Sequence, residues 1–100
     1  MRLSQFQTDT IKNLAKKYFG QETTVSLFGS RTYDNKKGGD IDLLIYNNNE
    51  SALTMDAKVG FLAELKSKIG DRKIDVVFDN INTRKKKNFY RSVTSHKADL

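Results

Sequence analysis

Asp40-Ile41-Asp42-Leu43-Leu44-Ile45 is the stretch on which the fold turns. A β-strand sends alternate side chains to opposite faces, so Ile41, Leu43 and Ile45 point one way and Asp40 and Asp42 the other. The apolar set asks for a core. The two carboxylates, roughly 7 Å apart along the strand by its rise per residue, repel each other beside apolar neighbours and gain nothing structural from that. A divalent cation removes the repulsion, because carboxylate oxygens are the ligands that Mg²⁺ and Mn²⁺ prefer.

Working outward, the same alternation recurs in Lys73-Ile74-Asp75-Val76-Val77-Phe78. There Ile74, Val76 and Phe78 form the core face and Asp75 is left opposite. With this strand beside the first, Asp40, Asp42 and Asp75 converge on one open face. That set suits a two-metal site, in which paired ions clamp the attacking and leaving oxygens of an in-line phosphoryl displacement. Asp40 and Asp42 are expected to bind both ions. Asp75 is expected to ligate the one near the acceptor and to act as general base. Asp79, just past the strand, reads as an ordinary solvated acid.

Upstream, Val25-Ser26-Leu27-Phe28-Gly29-Ser30-Arg31 is a strand that breaks at Gly-Ser. Such a turn offers free backbone N–H groups to an anion. Gly29 lacks a Cβ and lets a phosphate approach the main chain. Ser30 adds a hydroxyl donor, and Arg31 adds a fixed positive charge.

The rest of the chain supplies the packing. Residues 4–19 place Ile11, Leu14, Ala15 and Tyr18 on one helical face, with Phe6 about a turn earlier and Lys12, Lys16 and Lys17 left to solvent. Gly20 stops this helix. Strands are expected over 23–28, 40–46 and 73–78, with a polar loop over 31–39 and a turn at Asn47-Asn48-Asn49. Residues 54–69 form a second helix on a stripe of Met55, Val59, Leu62, Leu65 and Ile69, ended by Gly70. Gly60 inside it costs about 1 kcal/mol relative to Ala. Phe89, Tyr90 and Val93 anchor a short last helix, with packing the first reading of the two aromatics and stacking on a base the second. The order predicts an α/β, two-layer domain: a small mixed sheet of about three strands with helices on one face. Residues 1–100 form a single domain, with a basic tail over about 82–100.

Composition narrows the function classes. There are 18 Lys and Arg against 12 Asp and Glu, a formal charge of +6, which favours anionic partners without choosing among them. Cysteine is absent, which excludes disulfides, zinc–thiolate sites and a thiol nucleophile. No apolar run approaches a membrane span, so a cytoplasmic protein with no membrane partner is expected. The run Arg84-Lys85-Lys86-Lys87 offers a contact for RNA phosphates or an acidic protein face, and equally a solvated surface. His96 reads as having no role. Tyr33 and Tyr46 are candidates to stack on a nucleotide base.

The string LFGSRTYDNKKGGDIDLLIY, residues 27–46, resembles the signature of the DNA polymerase β-like nucleotidyltransferase superfamily. The shared elements are an apolar strand, Gly-Ser, a spacer of about ten residues and Asp-x-Asp on a strand, and the likeness covers roughly residues 25–79. The short chain is similar to the minimal nucleotidyltransferase (MNT) branch, antitoxin-type proteins paired with a HEPN-domain toxin. The resemblance implies that Gly29 and Ser30 hold the triphosphate of ATP, that Asp40 and Asp42 coordinate two Mg²⁺ or Mn²⁺ ions, and that Asp75 is the third carboxylate. It further implies transfer of AMP to a tyrosine of the HEPN partner, an antitoxin activity. Relatives often carry Arg-Gly after Gly-Ser. Here Tyr33-Asp34-Asn35 follows, leaving Arg31 or Lys36 to make that phosphate contact. The competing readings are a catalytically inactive module that neutralises a partner by binding it, and transfer to a small molecule or an RNA end. The oligomeric state is left open.

Overall fold

In the computed structural model the described residues are 3–29 and 40–100. Among them the chain runs α1 (Gln5–Phe19), β1 (Thr24–Phe28), β2 (Ile41–Tyr46), a 3-10 turn (Glu50–Ala52), α2 (Met55–Ile69), β3 (Ile74–Phe78), α3 (Ile81–Lys85), α4 (Lys87–Thr94) and β4 (Ala98–Asp99). The expected mixed α/β domain is what folds.

Local chemistry sets the ends of α1. Ser4 Oγ accepts from the Gln7 N–H at 3.1 Å, and Gln7 Oε1 accepts from the Ser4 N–H at 2.8 Å. This reciprocal pair satisfies two of the amides that a helix start leaves open. Gly20 ends the helix at φ +115°, a conformation that a Cβ would strain. Ile11, Leu14, Ala15 and Phe19 are buried. Phe6 is exposed, contrary to expectation: it lines a surface groove with Lys17 and Lys68 instead of entering the core.

β1 and β2 are antiparallel, with Phe28 opposite Asp42. β2 and β3 are parallel, with Asp42 opposite Asp75 and Leu43 opposite Val76. Parallel neighbours need a long crossover, which α2 provides. The sheet order is β3-β2-β1-β4. β4, two residues long, is a fourth strand within the stretch expected as a basic tail. It pairs Ala98 with Leu27 and Asp99 with Ser26, and the Ser26 hydroxyl donates to Asp99 at 2.7 Å.

One face of the sheet meets α1 and α2 in the core. Val25, Leu27, Ile41, Leu43, Ile45, Ile74 and Val76 pack there with Ile11, Phe19, Phe61 and Leu65. The Phe19 ring lies 5.3 Å from Phe61 and 5.5 Å from Phe78. Phe61 and Leu65 are the fully buried side chains of α2, while Met55 and Val59, expected in its core stripe, are 66% and 60% exposed. α2 carries apolar residues on nearly every side, so periodicity alone does not choose its inner face. Gly60 sits against α1, where a Cβ would lie 2.6 Å from the Tyr18 ring, and the missing side chain lets that ring pack onto the α2 backbone. The Tyr18 hydroxyl then reaches Glu64 at 2.7 Å.

The polar turn after β2 is held from inside. Asn47 is buried, and its Nδ2 donates to the Phe19 carbonyl at 3.1 Å and to Thr23 Oγ1 at 3.0 Å. The C-terminal segment is also built in. Arg84 donates to Glu50 at 2.6 Å and to Asp79 at 3.0 Å, and the Tyr90 hydroxyl donates to Asp79 at 3.0 Å. Asp79 is therefore no solvated acid: its side chain is 14% exposed and joins α3 and α4 to the end of β3. Arg84, the first residue of the basic run, is committed to that junction.

Candidate functional site

The face of the sheet turned away from α1 and α2 carries Phe28, Asp42 and Asp75 in one row across β1, β2 and β3. The alternation that buries Ile41, Leu43 and Ile45 puts Asp42 here. The parallel register then sets Asp75 beside it. The two carboxylates are close enough to share a hydrogen bond, and Asp42 is pushed up to about 6. Partial burial is the largest cause, followed by the hydrogen bond to Asp75, the charge of Asp75 and the charge of Asp40, with Lys73 opposing.

Asp40 stands just before β2, where the Ile41 N–H donates to the Lys73 carbonyl at 3.0 Å. Its carboxylate lies 3.7 Å from Lys73 Nζ. The three acids predicted to converge are thus found as a tight pair, Asp42 and Asp75, with Asp40 near enough to act on Asp42 and ion-paired to Lys73. Lys73 is a site residue absent from the sequence expectations; its place two residues before Asp75, just ahead of β3, is the local signal for it. Among the described residues no three of His, Cys, Asp and Glu are grouped to hold an ion.

Gly29 closes the row from the β1 side. Its φ is +75°, and a Cβ there would lie 2.6 Å from Asp42 Oδ2. Main chain and carboxylate approach this closely only because the residue is glycine. Ser30 and Arg31, together with Tyr33 and Lys36, lie outside the described residues. Tyr46 donates its hydroxyl to Asn48. His96 is exposed and hydrogen-bonded to Ser95.

A cleft of about 550 Å³ opens at the row along the β3 edge of the sheet, lined by Phe28, Asp42, Asp75, Val77 and Phe89 and, from α2, by Lys58 and Leu62. α4 contributes Phe89 to it. The donor set is all carboxylate oxygen, with like charges gathered and one of them partly desolvated, and that chemistry fits Mg²⁺ or Mn²⁺. No described helix is long and apolar enough to cross a membrane.

The family model described as "Polymerase beta, Nucleotidyltransferase" matches residues 9–98, from within α1 to β4. Among the curated proteins, no match is found.

Proposed function

This chain belongs to the polymerase β nucleotidyltransferase family, and from that premise we propose that it transfers a nucleoside monophosphate, AMP from ATP, onto a hydroxyl of a protein acceptor. The single observation that carries the reading is the in-register pair Asp42 and Asp75, with Gly29 pressed against Asp42. The preference for AMP, and for a tyrosine of a HEPN-type toxin that the modification silences, rests on the likeness of residues 27–46 to the MNT branch.

In the reaction the acceptor oxygen forms a bond to the α-phosphorus, the bond from that phosphorus to pyrophosphate breaks, and the hydroxyl proton leaves. Asp75 is exposed at the mouth of the row and takes that proton as general base. Asp40, Asp42 and Asp75 would hold the divalent cations, with Asp40 exchanging Lys73 for an ion. When bound, two such ions supply charge neutralisation at the attacking and leaving oxygens. Gly29, having no Cβ, keeps the main chain of the expected phosphate-binding turn against Asp42. Lys73, released from Asp40, offers a positive charge to the departing pyrophosphate.

The ion pair between Asp40 and Lys73 favours a second reading, in which the chain binds and neutralises a partner without catalysis. One experiment separates the two. The purified chain is incubated with ATP labelled at the α-phosphate, Mg²⁺ or Mn²⁺, and a small all-helical HEPN-type protein. Label should appear on the partner, and Asp42→Asn or Asp75→Asn should abolish it. If folded protein labels nothing with any nucleoside triphosphate or either metal, the enzyme reading falls. Neutralisation that survives Asp40→Asn with Asp42→Asn supports the binding module.

A further inference from the structure

α4 brings two neighbouring aromatic side chains to the end of β3. Tyr90 is held there by its hydroxyl on Asp79. Phe89 is 46% exposed. A single exposed phenylalanine needs no explanation, but this one lines the same cleft as Asp42 and Asp75. Phe28, opposite Asp42 on β1, lines it too, as does Val77 on β3. The cleft therefore gathers two carboxylates and an aromatic, apolar set in one lining, and its volume of about 550 Å³ falls in the range of small-molecule sites.

A ligand that matches both kinds of lining must carry metal-bridged anionic groups in one part and a flat apolar surface in another. A nucleoside triphosphate has that form. Its phosphates belong at the carboxylates, and only the base has a face that an exposed ring can cover.

We propose that Phe89 is the platform on which the base of the nucleotide donor stacks, with Phe28 forming the neighbouring wall. The inference rests on the nucleotidyltransferase reading and adds to it the residue that seats the base. Ring faces do not read base edges. The polar side chains among the described lining residues are Asp42, Asp75 and Lys58, so stacking area decides, and purines bind ahead of pyrimidines.

The test uses the full chain with Mg²⁺ and a non-hydrolysable α,β-methylene analogue of ATP, with inorganic tripolyphosphate as a ligand that lacks a base. Phe89→Ala should weaken the analogue roughly ten-fold or more, as loss of a base-stacking ring does, and leave tripolyphosphate within about two-fold of the parent. Phe89→Trp should restore the analogue. Three outcomes overturn the proposal. If Phe89→Ala binds the analogue like the parent, Phe89 seats nothing. If both ligands weaken alike, Phe89 only shapes the cleft. In either case the parent chain's transfer of label leaves the enzyme reading standing. If the parent binds no nucleotide at all, premise and proposal fall together.

Discussion

A β-carbon on Gly29 would sit 2.6 Å from Oδ2 of Asp42. The relationship joins the turn that ends β1 to the carboxylate in the middle of the row, and it exists because β1 and β2 pair with Phe28 opposite Asp42. At φ +75° the backbone itself disfavours a side chain. Gly29→Ala should therefore cost about 1–2 kcal/mol of stability from backbone strain and displace the Asp42 carboxylate. Urea denaturation and label transfer check it together: transfer should drop far more than the loss of folded protein explains. Equal losses in both would make Gly29 merely structural.

Asp42 carries a stability cost whose sign follows from its raised value. The ordinary value of 3.8 is pushed up to about 6 in the fold, so the native state holds the proton more tightly than the unfolded chain. Between those values stability falls as pH rises, and above about 6 the full cost is present. Asp42→Asn, measured without divalent metal, should be more stable than the parent by about 1 kcal/mol at pH 8, a figure discounted for the solvent that reaches the group. The advantage should vanish by pH 4. An Asn variant less stable at pH 8 would contradict the crowding of like charge.

Divalent cations should act on the same repulsion. Mn²⁺ or Mg²⁺ in millimolar excess should raise the thermal midpoint by a few degrees at pH 7.5, since an ion that binds only the folded state stabilises it. The effect should fade toward pH 5 as Asp42 takes up its proton. Asp42→Asn with Asp75→Asn should remove it at every pH. A shift that persists in the double variant would place the ion elsewhere.

Gly60 contradicts helix propensity for a reason that can be reversed. Alanine would ordinarily gain about 1 kcal/mol in a helix interior, but here its methyl would meet the Tyr18 ring at 2.6 Å. Overpacking of that kind costs about 1–3 kcal/mol, so Gly60→Ala should destabilise the parent. In a Tyr18→Ala background the same change should stabilise. Chemical denaturation of the four chains gives the sign in each background, and an unchanged sign would remove Tyr18 as the cause.

How much of this was legible beforehand depends on the range over which each signal acts. The stop at Gly20 and the alternation in β2 and β3 are local, and each was readable from a handful of residues. β4 was not. Ala98 and Asp99 carry no alternating pattern, and they form a strand only because β1 presents a free edge to pair with. The inner face of α2 was legible in part: Leu65 is buried and Leu62 and Ile69 pack against the core, while Met55 and Val59 are exposed and Phe61 is buried in addition, because apolar residues surround the helix. Asp79 looked solvated because its partners Arg84 and Tyr90 arrive from α3 and α4. Ser30 and Arg31, read from the sequence as phosphate contacts, fall outside the described residues.

The sequence by itself determined the face to which each acid belongs, since the two-residue repeat of a strand is a property of the backbone. Only the tertiary structure decided which acids are neighbours. That Asp75 stands beside Asp42, while Asp40 pairs with Lys73, follows from the register of β3 on β2. The strand pattern limits the register to those that keep the apolar face inward, and the choice among these is made by the packing of the whole core.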